Sequence, residues 1–523
     1  VSAPTVVLGA YLALLLVIGA WGWYRARGGE EDYYLAGRGQ GLTATSLTIM
    51  ATMFSSAAML GIPGLVYRDG LAFFAFALNL PLSGAAVYLI GNRVRQRASE
   101  RGHVTPGDLL SEHYGGSGAV RGMSALIGFL YVLPYIVMQL KAGGLLAQRL
   151  FADAQPWHVL GYELSVFDVG TGALSVVTML YVLLGGMRSV AWSDVLQGLL
   201  LLTGMLVAGA ATVSALGGWS GYWDKVAALP EQVLTTPGVT GAWPWTKLWT
   251  LVLFASLATM VQPGQWMRYC AARSAATLRR TALIFATVLP ACFLFGILLV
   301  ALGARALYPP AFEGSVLKPH TSIVEFDQAA IVMIQEHVPA LVGGLGPWVV
   351  ALILVAILAA SMSTADSNLH ALSAVLTRDV HDRLRPNATE RQRTRFGRAV
   401  IVVATLTATW LVAKGRHDPD FRPLELIASL MFVAMAFSAQ LLPAVIDALF
   451  LGRGTARGAV AGMVTGVACV LLFTPFPALV LGNAPLGGLA PTLDTLKRTL
   501  DLGLVGLVGN AAVFAGVSAL QRR

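Results

Sequence analysis

The residues able to do chemistry in this chain are few and lie inside apolar runs. The densest group is Ala359-Ala360-Ser361-Met362-Ser363-Thr364-Ala365-Asp366-Ser367-Asn368, at the end of a long hydrophobic stretch. On a helix, Ala360, Ser363, Thr364 and Ser367 fall at i, i+3, i+4 and i+7, so hydroxyls and a potential carbonyl share one face. Such a face suits a hard monovalent cation, which takes oxygen ligands as other hard cations do. Each hydroxyl alone also has a structural use, bonding the carbonyl one turn back or joining neighbouring helices. Asp366 demands more: a carboxylate at membrane depth costs about 2.5–3.5 kcal/mol, so it faces a partner, water or an ion path unless it reaches the cytoplasmic interface. Asp194, in the run Met187–Gln197, has two uses. It either pairs with Arg188 or caps a first helical turn, or it forms a second cation or proton site together with Asp366. Lys141, beside Gln139 in an apolar segment, either snorkels to the interface or pairs with a carboxylate or an anionic solute.

The elements that must position these residues are membrane helices. The 523 residues are 56% hydrophobic and 12% charged, whereas soluble domains carry about 25% charged residues. Mean hydropathy is +0.69. We therefore expect an all-α integral membrane protein. At about 20 apolar residues per span, thirteen spans are expected, in windows 3–24, 42–66, 71–91, 122–148, 164–184, 190–216, 245–268, 281–304, 346–376, 397–413, 423–448, 457–476 and 501–520. A short amphipathic external helix is expected over Ile323–His337, and a Gly/Pro/Trp-rich external loop over Gly217–Pro244. Arg25 and Arg27 follow the first apolar run, the reverse of a signal peptide's charge order, so this run is expected to be a retained helix starting outside.

The net charge is +9, with 36 Lys and Arg. With the N-terminus outside, roughly two thirds of these fall in cytoplasmic segments, Arg268 among them, which places the C-terminus inside. The basic excess thus belongs to membrane topology and not to a nucleic-acid partner. Cys270, Cys292 and Cys469 are too scattered for a disulfide framework or a zinc site. No nucleophile and base pair or metal-ligand cluster stands at an interface, which argues against an enzyme.

Two spans are interrupted. The second contains Phe54-Ser55-Ser56-Ala57-Ala58-Met59-Leu60-Gly61-Ile62-Pro63-Gly64, and the seventh contains Gln262-Pro263-Gly264-Gln265-Trp266. Hydroxyls, glycines and proline weaken a helical backbone at membrane depth. One such break is explained equally well as a packing kink. Two breaks five spans apart point to the midplane binding site of an inverted-repeat transporter. The single transporter domain, 1–523, would then divide into an N-terminal extra helix (1–28), two five-helix halves (41–217 and 243–448) and two C-terminal helices (455–523).

At these residues the chain resembles the sodium/solute symporters. Five stretches carry the resemblance: Tyr33–Arg38; Phe54-Ser55-Ser56 to Gly64; Gly185–Gln197; Ser363-Thr364-Ala365-Asp366-Ser367; and Phe437-Ser438-Ala439-Gln440-Leu441-Leu442-Pro443. The third and fourth are the specific ones. The resemblance implies a LeuT-type core of ten helices in two inverted repeats, preceded by one helix and followed by two. It implies a sodium ion held by the carbonyls of Ala51, Phe54 and Ala360 and the hydroxyls of Ser363 and Thr364. A second cation site, present in some members, would map to Asp194, Ser363, Asp366 and Ser367. Certain members have serine where this chain has Asp366, so a proton is the alternative there. The solute position implied lies among Ser55, Ser56, Gln139, Gln262, Gln265, Trp266 and Gln440, with Lys141 as a counter-charge.

The expected function is sodium-coupled symport of a small organic solute (a carboxylate, an amino acid or a pantothenate-like compound) across the inner membrane into the cell. The N-terminus would lie outside and the C-terminus in the cytoplasm. The alternatives are proton coupling on the same fold, or a solute sensor acting with a separate signalling partner.

Overall fold

The computed structural model describes residues 2–25, 29–151, 153–159, 162–418, 427–473 and 490–522. Positions 423–426 and 474–476 of two expected spans, together with Arg27, Arg422 and Arg523, lie outside the described residues. Helix α1 is Ala3–Arg25, α2 Leu42–Met53, α3 Ile62–Asp69, α4 Asn79–Arg101, α5 Gly118–Leu150, α6 Val166–Ala215, α7 Trp245–Ala258 and α8 Pro263–Ala271. Helix α9 is Ala275–Cys292, α10 Leu299–Leu307, α11 Ala329–Val342, α12 Gly346–Leu376, α13 Glu390–His417, α14 Ile427–Ser438, α15 Ala456–Phe473 and α16 Leu502–Leu520.

Among the described residues, ten helical stretches are long and apolar enough to cross a membrane, and eleven when the bent pair of α2 and Ala57–Asp69 is taken as one span. Two shorter apolar helices, Trp245–Val261 and Ala456–Leu472, occupy the places of two further expected spans. Gly186, at φ 56° and ψ −162°, divides α6 into the expected fifth and sixth spans. The expected external helix starts later, at Ala329, and its first six residues, Ala329–Ile334, are buried. Its later part reaches the surface at Glu336, Ala340 and Leu341. Two small antiparallel hairpins complete the fold, pairing Trp157 with Leu164 and Ala311 with Lys318.

Both expected interruptions are present. Helix α2 ends at Met53, Phe54 leaves helical geometry at ψ 81°, and the chain resumes as one wide turn, Ala57–Gly61, leading into α3. The two parts meet at a bend of 54°. Helix α7 passes through a tight turn, Thr259–Val261, to Gln262, whose extended ψ of 130° separates it from α8. Proline explains this second break: Pro263 lacks an N–H and disfavours helical geometry in the residue before it, yet it suits the first turn of a new helix.

Helix α12 lies at the centre of the molecule. Every residue from Ile353 to Val375 is buried, so protein surrounds this helix on all sides through most of its length. Glycine permits the closest approach to the first break. A Cβ on Gly61 would stand 2.8 Å from the backbone nitrogen of Ala428, so α14 packs directly on the wide turn. Arg378 and Arg393, two of the basic residues expected on one side, both pair with Glu30. Arg378 pairs with Asp108 at 3.1 Å and Glu30 at 3.2 Å, and Arg393 pairs with Asp382 at 3.0 Å.

Candidate functional site

The site is built where the first break faces α12. In a continuous helix the Ser56 N–H would bond the Thr52 carbonyl four residues back. Here it donates instead to Gln139 Oε1 of α5 at 3.2 Å, and the Ser56 hydroxyl donates to the same oxygen at 2.7 Å. Gln139 therefore holds the break open and leaves the Thr52 carbonyl without its helical partner. The Thr364 hydroxyl of α12 lies 3.5 Å from that carbonyl and 3.4 Å from the carbonyl of Ala51. These separations are long for O–H···O bonds. They match neighbouring ligands around a cation: oxygens held at about 2.3–2.6 Å and at right angles stand about 3.3–3.7 Å apart. The donor set is neutral oxygen throughout, which suits a hard ion of single charge.

Ser363, adjacent to Thr364, donates its hydroxyl proton to Asp194 Oδ1. That bond directs the lone pairs of Ser363 Oγ away from the carboxylate. Ala360 is buried one turn earlier, in a helix that runs unbroken, so its carbonyl keeps an N–H partner and offers only its second lone pair. Phe54 sits at the break with its ring edge-on to Phe293, 5.3 Å between centroids.

Asp194 and Asp366 are fully buried, so Asp366 does not reach an interface. Asp194 neither caps a helix nor pairs with Arg188, whose guanidinium instead bonds Asp32, at 3.0 Å through Nε. Its partner is Arg268 on α8, 2.9 Å away and equally buried. This corrects the assignment of Arg268 to a cytoplasmic segment. The arginine also donates to the Thr48 hydroxyl (2.8 Å), the Thr48 carbonyl (3.2 Å), the Gly264 carbonyl (2.9 Å) and the Ser367 hydroxyl. Thr48 bonds Asp194 in turn, and Tyr181 donates to Asp366. Ser367 lies 2.6 Å from the Ser363 carbonyl and 3.0 Å from Asp366 Oδ1.

The residues nominated for the solute divide into two groups. Ser55 and Ser56 lie in the first break and are buried with Gln139, while Gln262, Gln265 and Trp266 lie at the second. Gln265 donates to the Ile49 carbonyl of α2 at 3.2 Å, linking α2 and α8, one half of each broken helix. Gln139 Nε2, Gln262 Nε2, Gln265 Oε1 and Trp266 Nε1 are buried without a hydrogen-bond partner among the described residues. Such groups are costly unless something else satisfies them. Gln440 and Lys141 are committed elsewhere. Gln440 donates to Ala436 at 2.8 Å and accepts from Asn510 of α16 at 3.1 Å. Lys141 lies 3.7 Å from both Glu325 and Asp327.

Sequence reasoning missed Arg268, Thr48, Thr52 and Tyr181. Only Arg268 carried a usable signal, since an arginine five residues past Pro263 in a membrane-length window needs a buried partner.

Residues 33–466 match the profile of the sodium:solute symporter family. The chain belongs to that family. Among its relatives is the sodium/proline symporter of Escherichia coli (strain K12), 25% identical over 522 residues that cover 95% of this chain and 96% of the relative. The sodium/proline symporter of Staphylococcus aureus (strain bovine RF122 / ET3-1) is 26% identical over 478 residues, covering 90% and 85%. The fold is similar to that of a Na+-coupled sialic acid symporter solved in a substrate-bound outward-open state, with TM-score 0.75, 19% identity and coverage of 99% and 98%. It is also similar to MhsT in complex with L-phenylalanine, with TM-score 0.53, 16% identity and coverage of 90% and 98%. This sodium:solute symporter is a multi-pass membrane transporter with sodium as its coupling ion, and not an enzyme.

Proposed function

We propose that this symporter moves one small organic solute bearing a carboxylate into the cell, driven by a sodium ion bound between the end of α2 and α12. An amino acid of the proline class leads the carboxylates, amino acids and pantothenate-like compounds considered, because the relatives above are named for proline. The observation that carries the reading is the Thr364 hydroxyl, 3.4 and 3.5 Å from two carbonyls at a helix break. Ala51, Thr52, Ser363 and Thr364 are the proposed ligands, with Phe54 and Ala360 contributing further carbonyls. Ser55, Ser56, Gln139, Gln262, Gln265 and Trp266 are the proposed solute surroundings. The unpartnered N–H groups of Gln139, Gln262 and Trp266 supply donors suited to a carboxylate.

We read the architecture as thirteen spans in a five-plus-five inverted repeat, with the N-terminus outside, the C-terminus cytoplasmic and the protein in the inner membrane. Sodium binds from outside and stabilises the arrangement in which the first break is exposed outward, the solute follows, and rocking of the repeats releases both inside. Inward movement of one charge contributes about 2.3 kcal/mol per 100 mV, enough for roughly a fifty-fold solute gradient.

Uptake of a labelled solute panel into proteoliposomes under an imposed sodium gradient tests the reading. Accumulation of an amino acid or other carboxylate with sodium, and not with choline, is expected. Uptake indifferent to sodium but driven by a pH gradient would reassign the coupling ion.

A further inference from the structure

The oxygens that the resemblance nominates for a second cation already surround a positive charge. Arg268 reaches Asp194 Oδ2 at 2.9 Å and also bonds Ser367 Oγ, so two of the four nominated residues serve the guanidinium. A third, Ser363, gives its proton to Asp194. The fourth, Asp366, is bonded by Tyr181 on one oxygen and lies 3.0 Å from Ser367 on the other. Nε and Nη1 of the guanidinium also donate, to Thr48 and to the Gly264 carbonyl. The whole group is buried, so water does not dilute the charge. An ion placed on Asp194 would stand roughly 4 Å from the guanidinium, which repels it and already holds the Asp194 and Ser367 oxygens that the ion would need. The residues present therefore do not fit a second sodium ion.

We propose that Arg268 is a tethered cation standing in the second ion position, so that one sodium ion, and not two, accompanies each solute. This inference rests on the sodium site between α2 and α12 and deepens it. Arginine suits the role because it stays protonated and its planar fork satisfies several oxygens at once. Its place on α8 matters as well. A free ion leaves with the solute, whereas a side chain fixed to one half of the second broken helix stays. The position then helps to close the molecule, through Thr48 of α2, Asp194 of α6 and Ser367 of α12, and carries no charge across the membrane.

The test is the number of sodium ions held by the purified full-length protein, measured by equilibrium binding of radioactive sodium at constant ionic strength. The charge moved per solute, from reversal potentials in proteoliposomes, is the second readout. The native protein is expected to hold one ion and move one charge per zwitterionic solute. Arg268→Gln removes the guanidinium and leaves Asp194 open, so this variant is expected to hold two. Arg268→Lys, which keeps a cation, is expected to hold one. Two ions on the native protein would overturn the proposal whether or not the variants fold, and so would a single ion on folded Arg268→Gln. Absence of sodium binding to the native protein would instead remove the α2–α12 site on which the inference depends.

Discussion

Removing the Thr364 hydroxyl should weaken sodium binding far more than removing a neighbouring hydroxyl on another face of the same helix. Thr364 Oγ1 lies 3.4 and 3.5 Å from the Ala51 and Thr52 carbonyls, long for a hydrogen bond and suited to oxygens that share a cation. A hydrogen-bonding group facing a charged partner is worth about 1.5–3 kcal/mol, which at 1.36 kcal/mol per decade is about 10- to 150-fold in affinity. Thr364→Ala should raise the half-saturating sodium concentration by that factor. Ser363→Ala should do at least as much, because it also takes a donor from the buried carboxylate of Asp194. Ser361 bonds the Ile357 carbonyl of its own helix at 3.2 Å, so Ser361→Ala should cost about 0.5 kcal/mol or less, within roughly threefold. The assay is initial uptake rate against external sodium in proteoliposomes, with sodium-dependent thermal stabilisation as an independent readout. Equal sodium dependence in all three variants would refute the placement of the ion.

Other substitutions probe the supports of the site. Gln139→Leu frees the Ser56 N–H to return to the Thr52 carbonyl, so sodium affinity should fall about tenfold, the worth of one hydrogen bond; the same sodium titration checks it. Gly61→Val places a Cβ 2.8 Å from the Ala428 nitrogen, and this overpacking should lower stability by about 1–3 kcal/mol, read as a lower Tm.

The parts of this site that the sequence announces are those set by local backbone chemistry. Pro263 cannot continue a helix, and Ser55, Ser56 and Gly61 weaken one, so both breaks are visible as residue types. Ser363 and Thr364 share a face because helical periodicity puts them there. What stays hidden is which distant groups meet. Asp194 has Arg188 six residues before it, yet its partner Arg268 is 74 positions away, and spacing along one helix says nothing about that pairing. Gln139 looks like a solute ligand in sequence. In the fold its carbonyl oxygen is spent on Ser56, which makes it the device that opens the helix as well as a contributor of an unpartnered N–H. Gln440 likewise looks like a solute residue in sequence, and in the fold its side chain accepts a hydrogen bond from Asn510 of α16. The polar residues of such a core are legible as costly; their partners are legible only in three dimensions.

The most direct measurement is an experimental structure determined in sodium, at a resolution that separates the ion from water. The account predicts density within about 2.3–2.6 Å of Thr364 Oγ1, Ser363 Oγ and the carbonyls at the end of α2, and its loss when sodium is replaced by choline. A helix continuous through Ser55, or a sodium ion seated away from Ser363 and Thr364, would contradict it.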